Sequence, residues 1–247
     1  MTSTMLREEL RKIGGRSAVF LIAVLAPILV AVIVAVGAIV VYQLRPSVDS
    51  IGGEKGLAWF SFPSMLAAWA LIMLAGQAGS WDSANGTFRY LLLSGRSRGS
   101  LYFTRVAAVL SVALLSVGLV IAVGVTFALL APTAPGDKLT ASSVANYVGV
   151  TVLYVAFWAL FAHGIGSLTG SVGAAIMFAF VAYFGGELIG SLGGHVSREI
   201  TYLLPGEAIN RLSSDSSSPL WLAIAVLIGW SAVAVYPGYA HTQAAEY

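Results

Sequence analysis

Few residues in this chain are equipped for chemistry. There are three histidines, His163, His195 and His241, and no cysteine. The lack of cysteine excludes disulfides, thiolate zinc sites, iron–sulfur clusters and cysteine nucleophiles. No His-Glu-x-x-His pair supplies a zinc site. A phosphate-binding loop needs Gly-Lys-Ser/Thr, but Lys12, Lys55 and Lys138 are followed by Ile13, Gly56 and Leu139. The chain therefore has no loop of that kind with which to hydrolyse ATP. The remaining polar candidates fall late in the sequence: Glu187, His195, Glu199 and Glu207. An enzyme would need such groups to converge. His163 sits among glycines and reads as a structural histidine.

These residues are set in a very apolar chain. Of its 247 residues, 58% are hydrophobic and 10% charged. Soluble domains are nearer one quarter charged, so an ordinary soluble enzyme, a disordered chain and a nucleic-acid binder are all excluded. A membrane-spanning helix needs roughly 20 mostly apolar residues. Uncharged stretches of that length or more separate Arg16 from Arg45, Lys55 from Asp82, Arg105 from Asp137 and Asp215 from Glu246. The stretch between Lys138 and Glu187 is long enough for two spans, with a polar, glycine-rich break at His163–Ser171 read as a tight turn. The expectation is an all-α polytopic membrane protein, a single transmembrane domain over 1–247. Six spans are expected at about 17–43, 59–80, 103–131, 144–166, 170–192 and 219–238. A β-barrel would instead show alternating segments of about ten residues. The first apolar run is about twice the length of a signal-peptide core.

Basic residues orient the spans. With the N-terminus cytoplasmic, eight of the thirteen Lys and Arg lie inside and seven of the eleven acids outside. Six spans then bring the C-terminus inside as well. Residues 3–15 form an amphipathic interfacial helix with Leu6, Leu10 and Ile13 on one face and a Glu8–Lys12 pair at i,i+4. The inner segment after span two holds a second amphipathic stretch, Thr87 to Ser94, closed by Gly95. Its apolar face is Phe88, Leu91 and Leu92, and Arg89, Arg96 and Arg98 surround it. Such a helix either lies on lipid or fits a groove on a cytoplasmic partner. On the outer side, Gly193–Pro219 is too polar to span and too apolar for a plain loop. A helix on the outer surface, or one dipping in and out, suits it. Small residues recur at Gly186, Gly190 and Gly194, and at Ala162, Gly166 and Gly170. They suit close packing, either within the chain or between subunits.

The inner segment resembles that of the type-2 ABC export permeases. The matching residues are Asp82, Gly86-Thr87, Leu91-Leu92, Arg98 and Arg105. Asp82 stands where Glu is commoner and Gly95 where Pro is usual. Tyr202-Leu203-Leu204-Pro205 before the last span resembles the same family, as do the interfacial helix and the six-span layout. The resemblance implies a permease subunit of an ATP-driven exporter, a dimer with itself or a homologue, over two separate P-loop ATPase subunits. ATP and Mg would sit on those partners, and this chain would hold no cofactor. Asp82, Gly86, Thr87, Phe88, Arg89, Leu91, Leu92, Arg96 and Arg98 would form the coupling element that docks on the ATPase. Glu187, His195, Tyr202, Pro205 and Glu207 would serve the outer gate or pathway. The implied cargo is a drug, antibiotic or antimicrobial peptide. Arg in excess of Lys, with abundant Ala, Val and Gly, matches a GC-rich bacterial genome, so a bacterial plasma membrane is expected. The alternatives are an autonomous channel or secondary transporter, and an intramembrane enzyme.

Overall fold

The structure is a computed structural model describing residues 3–15, 17–45, 50–85, 93, 95–192, 203–213 and 220–244. Among the described residues there are nine helices and no strand. They are α1 (Ser3–Gly15), α2 (Ser17–Leu44), α3 (Gly53–Ala58), α4 (Ser61–Ala84), α5 (Arg98–Leu130), α6 (Ala141–Thr169), α7 (Val172–Leu192), α8 (Pro205–Ser213) and α9 (Leu220–Ala244). By length and composition five stretches can cross a membrane: Ala18–Leu44, Gly53–Trp81, Arg98–Leu130, Ala141–Thr169 and Trp221–Ala244. The apolar run of α7, Val172–Gly185, is shorter. This is the architecture of a multi-pass membrane protein. Large apolar side chains such as Leu29 and Ile33 of α2 stand exposed on it, as a lipid-facing surface requires.

Local chemistry explains the helix ends. Ser97 caps α5 by accepting from the Ser100 N–H. Thr140 and Ser143 form a reciprocal capping box at α6. α6 stops at Gly170, whose left-handed φ of +63° lets its N–H return to the Gly166 carbonyl at 2.9 Å. Here the expected boundaries need correcting. The span read as 144–166 continues to Thr169, and the glycine-rich stretch from His163 is helical rather than a turn. Its glycines serve contacts. A Cβ on Gly166 would lie 2.5 Å from the Gly76 carbonyl of α4, and one on Gly238 of α9 would lie 2.5 Å from the Gly164 carbonyl. Close backbone approach therefore joins α4, α6 and α9 within one chain.

α4 and α6 form the centre, with α2 and α5 against one side and α7 against both. The buried cluster around Leu71, Ile72, Val109, Trp158 and Ala162 fills the space between them. Pro27 interrupts the ladder of α2, because it has no N–H to offer the carbonyl four residues back. That carbonyl, of Ala23, accepts instead from the buried Ser116 hydroxyl of α5 at 2.8 Å. The freed backbone group is thereby satisfied inside the bundle, as lipid surroundings demand.

The two ends of the bundle differ. At one end α1, the start of α5 and the end of α9 meet. At the other, the Ile51 and Gly52 N–H groups bond the Pro132 carbonyl, and Lys55 meets Asp137 at 2.6 Å. The short helix α3, not expected from the sequence, is held there against α5. The hydrogen bond and charge of Lys55 hold the Asp137 carboxyl below its ordinary value. A lowered carboxylate stabilises the fold above its unfolded value and loses that contribution as pH falls through the folded one. In thermal melts of the detergent-solubilised chain, wild type should therefore exceed Asp137→Asn at neutral pH. The gap should close below about pH 4. A gap that stays constant down to pH 3 would contradict this.

Candidate functional site

At the first end, α1 turns its apolar face inward. Ile13 is buried, and Leu6 and Leu10 pack on the same cluster. Its acids then meet the basic segment leading into α5. Arg96 donates to Glu8 at 2.6 Å, so the expected Glu8–Lys12 pair is replaced. Lys12 bonds Glu9 at 2.8 Å instead. Glu9 and Arg105 side chains are each only 7% exposed, with Arg105 Nε 3.9 Å from Glu9 Oε2. Arg98 donates to the Gln243 carbonyl of α9 at 2.8 Å. Gly95 takes a left-handed φ of +79°.

Glu9 is buried and faces two cations, Arg105 and Lys12, so removing it takes a counter-charge from each. Glu9→Ala should therefore cost about 3 kcal/mol, whereas Lys12→Ala, at an exposed side chain, should cost less than about 1 kcal/mol. Thermal melts in one detergent compare them. Equal losses would show that α1 is not anchored through Glu9.

Of the expected coupling residues, Arg96 and Arg98 stand in this cluster, and Asp82 falls in the last turn of α4. Gly86, Thr87, Phe88, Arg89, Leu91 and Leu92 lie outside the described residues. Of the expected outer residues, Glu187 is near the C-terminal end of α7, Pro205 is the buried first residue of α8, and Glu207 pairs with Arg211 at 3.2 Å. His195 and Tyr202 lie outside the described residues, as does Glu199. His163 is fully buried against Tyr102, with ring centroids 5.3 Å apart. Among the described residues no three His, Asp or Glu are grouped to hold a metal ion.

At the second end a cavity of about 520 Å³ opens between α3, α4, α6, α7 and α8. Tyr147, Thr151 and Tyr154 line it at i, i+4 and i+7, one face of α6. Ser64 of α4 stands across from them, its hydroxyl 3.5 Å from that of Tyr147. Tyr183 of α7 continues the wall, its hydroxyl on the Met65 sulfur at 3.4 Å. Its ring is 5.5 Å from that of buried Trp158 and 6.0 Å from that of Trp69. Among the described residues Glu54 of α3 is the one carboxylate of the lining.

α8 closes this cavity with Ile209 and Asn210. It is not laid across the end of the bundle. The Trp230 indole N–H, ten residues into α9, donates to the Leu203 carbonyl at 2.8 Å. At 1.5 Å per residue that point is about 15 Å along α9. Ala208, Ile209 and Leu212 then bury in one cluster with Ala223, Val226 and Leu227. α8 thus runs beside α9.

The sequence reading singled out none of Glu54, Tyr147, Tyr154 or Tyr183. A signal was present: polar residues at helical spacing inside an otherwise apolar span are costly in lipid and mark an inward face. Among the described residues the cavity brings together hydroxyls, rings and one carboxylate, with no histidine in its lining. This is a binding geometry rather than an acid–base pair. Compared with known family models and with curated proteins, the chain matches none.

Proposed function

We propose that this chain is the membrane-spanning permease subunit of an ATP-driven exporter of the type-2 ABC kind. The observation that carries the reading is the construction of the basic end. The segment leaving α4 returns into α5 through Arg96, Arg98 and Arg105, which are tied to α1 and α9. A force applied to that segment would pass directly into three helices. In this reading Phe88, Leu91 and Leu92 bury in a groove of a P-loop ATPase subunit. Arg89, Arg96 and Arg98 meet its acids or lipid phosphates, and Asp82, Gly86 and Thr87 shape the approach. Two ATPase subunits bind ATP and Mg, beneath a pair of permease chains that are identical or homologous. Coupling is the tighter binding of ATP-closed motors to the outward-open pair.

α7 then serves as a sixth crossing. Its 21 residues extend about 31 Å, close to the hydrocarbon thickness of a bilayer. Both termini come to lie on the cytoplasmic side, where Lys and Arg are in excess. The cavity walled by α8 opens outward and forms part of the export path. The cargo class is drugs, antibiotics or antimicrobial peptides, and the membrane a bacterial plasma membrane.

Co-purification in mild detergent from the native host, with mass spectrometry of retained proteins, tests this. A stoichiometric P-loop ATPase is expected. Recovery of the chain alone, under conditions that preserve other complexes, would favour an autonomous channel or secondary transporter instead.

A further inference from the structure

We propose that the cavity between α3, α4, α6, α7 and α8 binds an organic cation with an apolar body. Glu54 supplies the counter-charge, and the rings of Tyr147, Tyr154 and Tyr183 supply the aromatic wall.

Charge is the first argument. Among the described residues no lysine or arginine lines the cavity, and Glu54 is its one carboxylate. The neighbouring charges are already matched. Lys55, next in sequence, pairs with Asp137 at 2.6 Å, and Glu207 pairs with Arg211 at 3.2 Å. Glu54 accepts a hydrogen bond from the Thr140 hydroxyl at 3.3 Å and has no ion-pair partner among the described residues. Glu54 is itself exposed, so it sets the sign of the site while the apolar and aromatic walls supply contact area. Glu54 itself occupies the first turn of α3, and the N-terminus of α6, which reaches it through Thr140, is occupied by its own Thr140–Ser143 capping box, so neither helix end is left open to an anion.

The wall is the second argument. Aromatic faces are negative and attract cations, and tyrosine does so while keeping a polar edge. Three tyrosines from two helices meet around one space, beside Leu57, Met65 and Val150. The apolar residues suit hydrocarbon or ring substituents on the cation. The volume of about 520 Å³ lies within the range of small-molecule sites, about 300–1,000 Å³. A small hydrated metal ion would leave most of this wall unused, and an anion would meet Glu54 without a counter-charge. The proposal deepens the permease reading by naming its cargo class. It rests on that reading only in calling the cation cargo, because binding does not require the motor.

Tetraphenylphosphonium and tetraphenylborate share a shape and differ in sign. Binding of the radiolabelled cation to the full-length chain in lipid nanodiscs should saturate. Tetraphenylborate should displace it at least tenfold less well. Glu54→Gln and Tyr154→Ala should each weaken the cation about tenfold. Glu54 is exposed, so its variant tests the site even if Tyr154→Ala does not fold. Absence of saturable binding, equal displacement by both ions, or an unaltered Glu54→Gln would overturn the proposal. Cation binding by a chain that retains no ATPase would keep this site and overturn the permease reading. Retention of the ATPase without cation binding would do the reverse.

Discussion

Gly166→Val is expected to cost about 3 kcal/mol or more, the upper part of the range for overpacking a core. A Cβ at Gly166 would lie 2.5 Å from the carbonyl oxygen of Gly76 and 3.2 Å from its Cα. Both are main-chain atoms in the middle of α4. They cannot rotate aside as a side chain would, so relief requires α4 and α6 to separate. These two helices form the centre on which α2, α5, α7 and α9 all pack, and separation there spreads through the bundle. Gly118 of α5 provides the matched control, having nothing within 4 Å of its added Cβ. Gly118→Val should stay within about 0.5 kcal/mol of wild type. Thermal unfolding in one detergent compares the pair, and equal losses would mean that close approach at Gly76 is not a structural requirement.

The second large effect concerns coupling. Phe88→Asp and Leu92→Asp each place a carboxylate on the face proposed to bury in the ATPase groove. An unpaired charge at the centre of an interface typically costs several kcal/mol, enough to reduce association a hundredfold or more. Pull-down of the ATPase from the native host should therefore fail for both variants. The spans should remain folded, because the changes lie between α4 and α5 and leave both helices intact. Size-exclusion profiles and thermal melts check that second half. If the ATPase is retained by both variants, these residues do not form the docking face, and the lipid-surface alternative for this stretch takes its place. Arg96 would be a poorer choice for this experiment. Its bond to Glu8 also ties α1, so loss of the ATPase would mix docking with anchoring.

Much of the frame could be read from residue order. The apolar runs place α2, α4, α5, α6 and α9 to within a few residues, and the amphipathic α1 falls on its expected range. The errors share a cause. Gly164 and Gly166 read as turn glycines because a glycine that breaks a helix and one that admits a neighbour look alike in one dimension. Only the nearness of Gly76 and Ala234 separates the cases. Glu8 and Lys12 have the spacing of a helical pair, yet Arg96, eighty-eight residues away, holds Glu8. A local pair worth a few tenths of a kcal/mol yields easily to such a partner. Likewise Ser116 reads as an unremarkable hydroxyl until its bond to the carbonyl freed by Pro27 is seen.

Composition and apolar run length alone establish that the chain is helical and lives in a membrane. Transfer into lipid sums over about 20 residues, and backbone groups there must be satisfied within the segment, so both depend only on neighbours in sequence. The arrangement of the helices is another matter. In lipid the outward face of a span is as apolar as its core, so periodicity says little about which side meets a partner. The bundle itself decides that α4 and α6 touch through glycine, that α8 runs beside α9, and that three tyrosines and Glu54 face one cavity. Each of these depends on contacts between residues distant in sequence, and such contacts exist only once the helices have packed.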